Sequence, residues 1–363
     1  MIFGCASSDC IEIVSDRSTV NPLRLRLVIY KCFFLFIIIL LYNVEGFSLD
    51  ANSRVPYLRD GWAGARYVAM GKSAEVIVDD VYSIYWNPAG LSDLKILNPV
   101  ASEEIKGDSE RGNLDEIGDE DLIRFSNDKV SESFYQVGLS AAFIDIESGV
   151  GFGGVAFDLF SGVMGVGLYS IQTRNIEVRD EEGNLIGKTD FSGSACYISY
   201  GWIIGVSSLG FSIKGLYENI GDYGFYGGGV DVGYQVEIIP FLRIGFLVQD
   251  IGTGLKPAEE YENIENKYDF ASPVLKLSAA FTSPSWDFII ALTGIKNIEQ
   301  QDYEFNLGFQ YDIVKYSSLY FGLNDSVFST GISFRFFQLD FAYAFTYEDI
   351  IGYTNIVSLT FLL

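Results

Sequence analysis

The chain has 363 residues, 49% of them hydrophobic and 15% aromatic, and its formal net charge is −24. A chain of this length can form two soluble domains or one large barrel. Its strongly negative charge repels phosphate groups, which argues against nucleic-acid binding. Because the sequence contains no histidine, it excludes Ser–His and Cys–His catalysis and histidine-based metal sites, and we predict no enzyme activity, no cofactor and no metal.

Residues 1–46 are predicted to be a signal peptide. Basic residues precede the apolar run 32–42, namely Arg24, Arg26 and Lys31. A membrane-spanning helix needs about 20 residues, so this run is too short and fits a secretory segment, with cleavage expected after Gly46. An uncleaved anchor is the alternative. With residues 1–23, the segment before the apolar run is longer than the basic region of an ordinary signal peptide. A start codon assigned too early would explain this length.

Cysteine usage excludes an internal disulfide in the mature part. Cys5, Cys10 and Cys32 precede the predicted cleavage point, and only Cys196 follows it. Cys196 lies in an apolar strand pattern, so we predict a buried or lipid-facing small residue and not a nucleophile.

Residues 47–95 are predicted to form a small N-terminal hatch, or plug. Residues 57–94 lack strand alternation and are rich in small residues, and Pro88 after Asn87 favours one helical turn. Candidate hatch or gating residues are Arg66, Asp79, Asp80, Asn87, Pro88 and Ala89. Two interpretations stay open: Asn87 and Asp80 only cap turns and fix the plug, or they take part in gating.

Residues 96–363 are predicted to form an all-β, antiparallel transmembrane β-barrel of about 14 strands. In 303–311 and 339–345, large apolar residues alternate with small or polar ones, so each strand has one apolar face. A periplasmic β-sandwich would also alternate. The small polar face suits a crowded lumen, however, and aromatic residues near the strand ends suit a membrane interface.

Fifteen segments carry the strand pattern, whereas a single-chain bacterial barrel has an even number of strands, so we discard 96–103 as the weakest. The segments are 96–103, 134–146, 149–160, 163–179, 185–204, 207–219, 224–239, 241–250, 273–283, 286–294, 303–313, 317–324, 327–337, 339–347 and 353–363. Three polar stretches, 104–130, 175–188 and 252–272, are predicted to be long outer loops.

An ordered set of short motifs resembles the PorV/PorQ family of outer-membrane barrels, relatives of the FadL-type long-chain fatty acid transporters. The motifs are G-A-R-x-x-A-M-G at 64–71, Asp79-Asp80, Y-W-N-P-A-G-L at 85–91, F-L-V-Q-D-I-G at 246–252, A-S-P-V-L-K-L at 271–277 and L-D-F-A-Y at 339–343. Asp250 stands where the family usually has Asn. The resemblance implies a 14-stranded barrel whose hatch is built around Asn87, Pro88 and Ala89.

The resemblance implies two functions; we predict the first, movement of small hydrophobic molecules, and the second is the alternative. FadL-type members pass hydrophobic molecules across the outer membrane through a lateral opening. PorV-type members serve protein secretion or cell-envelope attachment without conduction. We expect an outer-membrane protein of a Gram-negative-type bacterium, in contact with lipid and with either small hydrophobic molecules or secretion-machinery proteins.

Overall fold

The computed structural model describes residues 58–59, 61–94, 135–144, 147–180, 182–259, 268–283, 287–299, 303–325, 327–348 and 352–363. Within these ranges, fourteen long antiparallel strands form one closed sheet around a short N-terminal segment. The sheet closes because β1 pairs with β15 and β6 pairs with β7. No helix in the described ranges is long and apolar enough to cross a membrane.

The predicted barrel and its strand number are confirmed. The strands are β1 Tyr135–Phe143, β2 Ser148–Leu159, β3 Gly162–Arg179, β4 Leu185–Ile204, β5 Ser207–Ile220, β6 Tyr223–Ile239, β7 Leu242–Pro257, β8 Asp269–Phe270, β9 Val274–Ser283, β10 Phe288–Asn297, β11 Tyr303–Val314, β12 Ser317–Asn324, β13 Val327–Phe336, β14 Leu339–Glu348 and β15 Gly352–Leu362. The two-residue β8 pairs with β7 as an addition to the fourteen. The discarded segment 96–103 lies outside the described residues.

Large apolar side chains cover the outside of the barrel. Along β14, Phe341, Tyr343 and Phe345 point outward, whereas Ala342 and Ala344 are buried inside. Cys196 is exposed beside outward-facing Ile198, as expected for a lipid-facing position. A water-soluble sandwich would bury such a face against a second sheet, but here the single sheet closes on itself and leaves its apolar face outermost.

The two ends of the barrel differ in their connections. At one end, the short-turn end, two-residue turns join five strand pairs, at 160–161, 205–206, 240–241, 315–316 and 337–338. The other end, the loop end, carries the connections after β1, β3, β5, β7, β10, β12 and β14. Outer-membrane barrels place their short turns in the periplasm.

Two of the three predicted outer loops need correction. Segment 175–188 is wrong as a loop, since β3 runs to Arg179 and β4 starts at Leu185. Its charges are compatible with strand because both faces of this two-stranded extension are exposed to water. Segment 252–272 is partly wrong, since β7 continues to Pro257. Segment 104–130 lies outside the described residues.

A short N-terminal segment within residues 58–94, hereafter the plug, lies inside the barrel. It contains two short helices, α1 (Ala65–Ala69) and α2 (Ser83–Trp86), and a 3-10 helix, η1 (Pro88–Ser92). Its large side chains are almost fully buried, including Leu58, Tyr67, Met70, Tyr82 and Trp86. The hydrophobic core therefore lies between plug and lumen wall.

Candidate functional site: the plugged lumen

Asn87 organises the turn at the end of the plug. Its side chain is fully buried; Oδ1 accepts a hydrogen bond from the Ala89 amide at 3.1 Å, and Nδ2 donates to the Glu75 carbonyl at 2.6 Å. Pro88 occupies the first turn of η1, where its missing N–H costs nothing. Asn87 thus caps the helix and ties it to a second part of the plug.

A row of three glycines receives this turn. Gly201, Gly210 and Gly233 are direct register partners on β4, β5 and β6. A Cβ atom would lie 2.5 Å from the Pro88 oxygen at Gly201, 2.2 Å from the Pro88 carbonyl carbon at Gly210, and 1.8 Å from Asn87 Oδ1 at Gly233. The plug backbone consequently rests directly on the sheet backbone.

Two further glycine rows seat other parts of the plug. Gly138, Gly154 and Gly167 form a row across β1, β2 and β3, and Cβ atoms there would meet side chains of Val81 and Ile84. Gly308 and Gly322 pair across β11 and β12, and a Cβ at Gly322 would lie 1.9 Å from the Gly71 nitrogen. Sequence analysis missed these rows; inward-facing glycines were visible, but their alignment appears only with the strand register.

Ion pairs join the plug to strands β7 and β9. Glu75 is fully buried; its Oε1 lies 2.9 Å from Lys276 Nζ, and its Oε2 accepts a hydrogen bond from Thr293 Oγ1 at 3.1 Å. Asp93 pairs with Arg243. Burial raises the pKa of Asp93 to about 6, and Arg243 opposes that rise.

A larger charge network centres on Asp250 in β7. Asp250 Oδ2 lies 2.7 Å from Arg59 Nε of the plug, and Asp250 Oδ1 lies 2.5 Å from Lys214 Nζ. Lys214 also contacts Asp231 at 2.8 Å. Asp250 adopts a φ of 66°, in the left-handed region where Asn and Asp are enriched, next to irregular register between β6 and β7. The family's usual Asn and this Asp therefore suit the same backbone.

Arg66, Asp79 and Asp80 lie elsewhere, in a vestibule at the short-turn end. Arg66 Nη1 lies 2.7 Å from Asp79 Oδ1, and Arg66 Nε donates to Gln310 Oε1 at 3.2 Å. Asp80 Oδ1 accepts the Tyr82 amide at 2.9 Å. Burial, and next the neighbouring charge of Asp79, raise the pKa of Asp80 to about 7. The three residues line a cavity of about 260 Å³.

The candidate residues therefore fall into two groups. Arg66, Asp79 and Asp80 line the vestibule, whereas Asn87, Pro88 and Ala89 lie on the glycine row of β4 to β6. Both Asn87 and Asp80 cap turns, as one interpretation expected; a gating role remains a prediction. Among the described residues no cluster of three or more Cys, Asp and Glu side chains is arranged to hold a metal ion.

The lumen wall divides into an apolar and a polar sector. In the apolar sector, large side chains of β2 to β4 surround the plug; they are Val150, Phe152, Tyr169, Ile171 and Tyr197. There the Tyr85 ring of the plug stacks on Tyr169, with centroids 5.0 Å apart. In the polar sector, inward residues of β9 to β15 are mostly hydroxyl and amide side chains; they include Ser278, Thr293, Asn306, Ser329, Thr354, Ser358 and Thr360.

Comparison with known proteins places the fold. No protein-family model and no curated protein sequence matches the chain. The crystal structure of the Pseudomonas putida toluene transporter TodX matches with a TM-score of 0.51 at 10% identity, covering 82% of this chain and 96% of that one. The TodX monoaromatic hydrocarbon channel deltaS2 mutant matches at 0.52 and 10% identity, covering 83% and 97%.

A Pseudomonas aeruginosa FadL homologue matches with a TM-score of 0.48 at 9% identity, covering 83% of this chain and 97% of that one. Identity this low bears on fold alone. The chain thus shares the barrel fold of TodX over most of the length of both proteins.

Proposed function

We propose that the chain is an outer-membrane protein, exported through a cleaved signal peptide, that moves small hydrophobic molecules across the membrane without catalysis. The apolar sector of the lumen carries this proposal. A lumen meant only for water or ions would be polar throughout, whereas here one side of the plug faces aromatic and aliphatic side chains. TodX, which shares the fold, is named a toluene transporter.

The molecule passes between the plug and the apolar sector while the plug stays seated on the opposite side. Ion pairs join the plug to β7 and β9; they are Arg59 with Asp250, Asp93 with Arg243, and Glu75 with Lys276. The contacts of the plug with β2 to β4 are mainly apolar, for example Tyr82 with Phe152 at a ring distance of 5.3 Å. Moving apolar side chains there leaves no buried charge unpaired.

Uptake of labelled toluene tests the proposal, in cells that lack their own hydrocarbon transporters. We expect uptake above that of cells with an empty vector. Ile171→Asn, in the apolar sector, should lower uptake several-fold because it places an amide on the path. Thr354→Asn, at a buried inward position of β15, should leave uptake unchanged. Uptake equal to the empty vector would remove the proposal.

A disulfide between plug and barrel tests the seated plug. Ser92 Oγ and Ser208 Oγ lie 2.7 Å apart, so Ser92→Cys with Ser208→Cys, in a Cys196→Ala background, should form a bond between η1 and β5. We expect oxidation to leave uptake intact. If oxidation abolishes uptake and a reductant restores it, the whole plug must leave the lumen.

The second candidate is an accessory barrel for protein secretion or envelope attachment, of the PorV type, with no conduction. The glycine rows favour it, because they let plug and wall backbones touch and so suit a permanently closed lumen. Crosslinking in cells distinguishes the two functions. Recovery of secretion components together with absent uptake would select the accessory role, and recovery of the bare barrel would count against it.

A further inference from the structure

The turns at the short-turn end carry exposed apolar residues at their tips. All five two-residue turns of this end have one; they are Phe160, Val206, Phe241, Tyr316 and Phe337, with exposed fractions of 87%, 42%, 45%, 55% and 102%. The described turns of the loop end carry acidic residues, which include Glu147, Asp180, Asp222, Glu299 and Asp325, whereas the described turns of the short-turn end carry one, Asp287. The two rims of the barrel therefore face different surroundings.

Two of these tips have a backbone that disfavours their side chain. Phe160 has a φ of 53° and Phe337 a φ of 52°. Bulky residues rarely adopt this left-handed conformation, which Gly, Asn and Asp accept at lower cost. If only the turn geometry mattered, Asn or Gly would be favoured at both positions. If the turns faced water, an exposed phenylalanine would be unfavourable at both.

The length of β13 indicates what covers the tips. Its outward apolar residues run from Phe328 to Phe336, which is about 27 Å along the strand and about 21 Å along the membrane normal at a tilt of roughly 40°. The outward-facing apolar band of an outer-membrane barrel is about 25 Å tall, so these residues alone fall short of it. Beyond Phe328 the next turn contains Asp325, whereas beyond Phe336 comes Phe337. The band is therefore completed at the short-turn end.

The turn tips also continue the outer surface of the barrel. The Phe241 ring packs edge-on against Phe281, an outward residue of β9, at 5.7 Å.

We propose that this rim is a lipid-binding surface, inserted into the phospholipid leaflet on the short-turn side, and that Phe160 and Phe337 keep their unfavourable backbone because their rings lie among lipid. The rim sets the depth of the barrel in the membrane. Lipid contact at the rim requires the transmembrane barrel but not the transport activity. A negative uptake experiment therefore does not contradict it.

Spin labels measure the depth directly. The full chain, with its four cysteines replaced by alanine, is labelled through Phe160→Cys, Phe241→Cys or Phe337→Cys and reconstituted in vesicles of phosphatidylethanolamine and phosphatidylglycerol. Asp222→Cys and Asp325→Cys are the loop-end controls. We expect labels at the three rim positions to collide more with oxygen than with a water-soluble nickel complex, and the controls to show the reverse. Rim labels as water-accessible as the controls overturn the proposal.

Replacing the two phenylalanines separates lipid contact from turn geometry. Asn suits the left-handed backbone, so without lipid contact Phe160→Asn with Phe337→Asn should leave the folded-to-unfolded ratio unchanged or raise it. With lipid contact we expect the ratio in the same vesicles to fall about tenfold or more, whereas Asp222→Asn leaves it unchanged. An unchanged or raised ratio in the double variant overturns the proposal.

Discussion

Lys276→Met is expected to unseat the plug from the lumen. Glu75 is fully buried, and among the described residues its carboxylate pairs with one cation, Lys276 Nζ at 2.9 Å, and accepts a hydrogen bond from the Thr293 hydroxyl at 3.1 Å. Methionine fills a similar volume but leaves the carboxylate without a cation in a dry site. Removing one partner of a buried pair typically costs about 3–5 kcal/mol.

The matched control removes both charges. Glu75→Met with Lys276→Met takes away the pair but leaves no charge unpaired, and such replacements are often neutral or stabilising. We expect the double variant to recover most of the loss, within about 1 kcal/mol of the parent protein. The Glu75 carbonyl keeps its hydrogen bonds from Asn87 and Gln235 in both variants, so the comparison isolates the charges.

Ion conductance in planar bilayers reports the seating of the plug, and urea titration of the folded barrel in vesicles reports global stability. A seated plug blocks the lumen, so Lys276→Met should raise the frequency of open events and lower the urea midpoint. The double variant should do neither. If the single and double variants behave alike, or if Lys276→Met costs less than about 1 kcal/mol, the pair does not hold the plug.

Three further expectations follow from the same contacts. Gly322→Ala places a Cβ against the Gly71 nitrogen and should lower the urea midpoint clearly, whereas Gly215→Ala, with open space around it, should not. Asn87→Asp puts an oxygen against the Glu75 carbonyl, 2.6 Å away, and should destabilise the plug by about 1–3 kcal/mol in the same titration. Burial raises the pKa of Asp80 to about 7 in the native state, above its ordinary value of ~4. Native stability should therefore fall as pH rises from about 4 to about 7, and urea titration of Asp80→Asn across this range should show a shallower fall.

The sequence predicts the outer face of the barrel well, because side chains that contact lipid must all be apolar. In 303–311 and 339–345 the large apolar residues that alternate in the sequence are the residues that face outward. The plug was recognisable for the opposite reason. Residues 57–94 lack the period of two, and Asn87-Pro88 begins a helical turn where expected.

The inner face is less predictable, because its partner is a segment distant in sequence. Residues 150–171 appear apolar or glycine on both faces. The structure supplies the reason: Val150, Phe152 and Tyr169 pack on the plug, while the glycines of β1 to β3 make room for Ile84 and Val81. The partners Glu75 and Lys276 are separated by 201 residues, so spacing gives no sign of the pair. Segment 175–188 was wrong because polarity indicates exposure to water, and a strand can be exposed on both faces.

The distribution of charge around the plug limits how it can move. A buried ion pair contributes little net free energy compared with two hydrated partners, but a single buried charge without its partner is costly. On the side of β7 and β9, small displacements would separate Glu75 from Lys276 and Asp250 from Arg59, so this side is either fully seated or fully released. On the side of β2 to β4, the contacts are mainly apolar and glycine-lined, and side chains there can shift by small steps at low cost. A hydrophobic molecule that passes a seated plug must therefore follow the apolar sector, which is why the locked Ser92–Ser208 variant and Ile171→Asn are expected to affect uptake so differently.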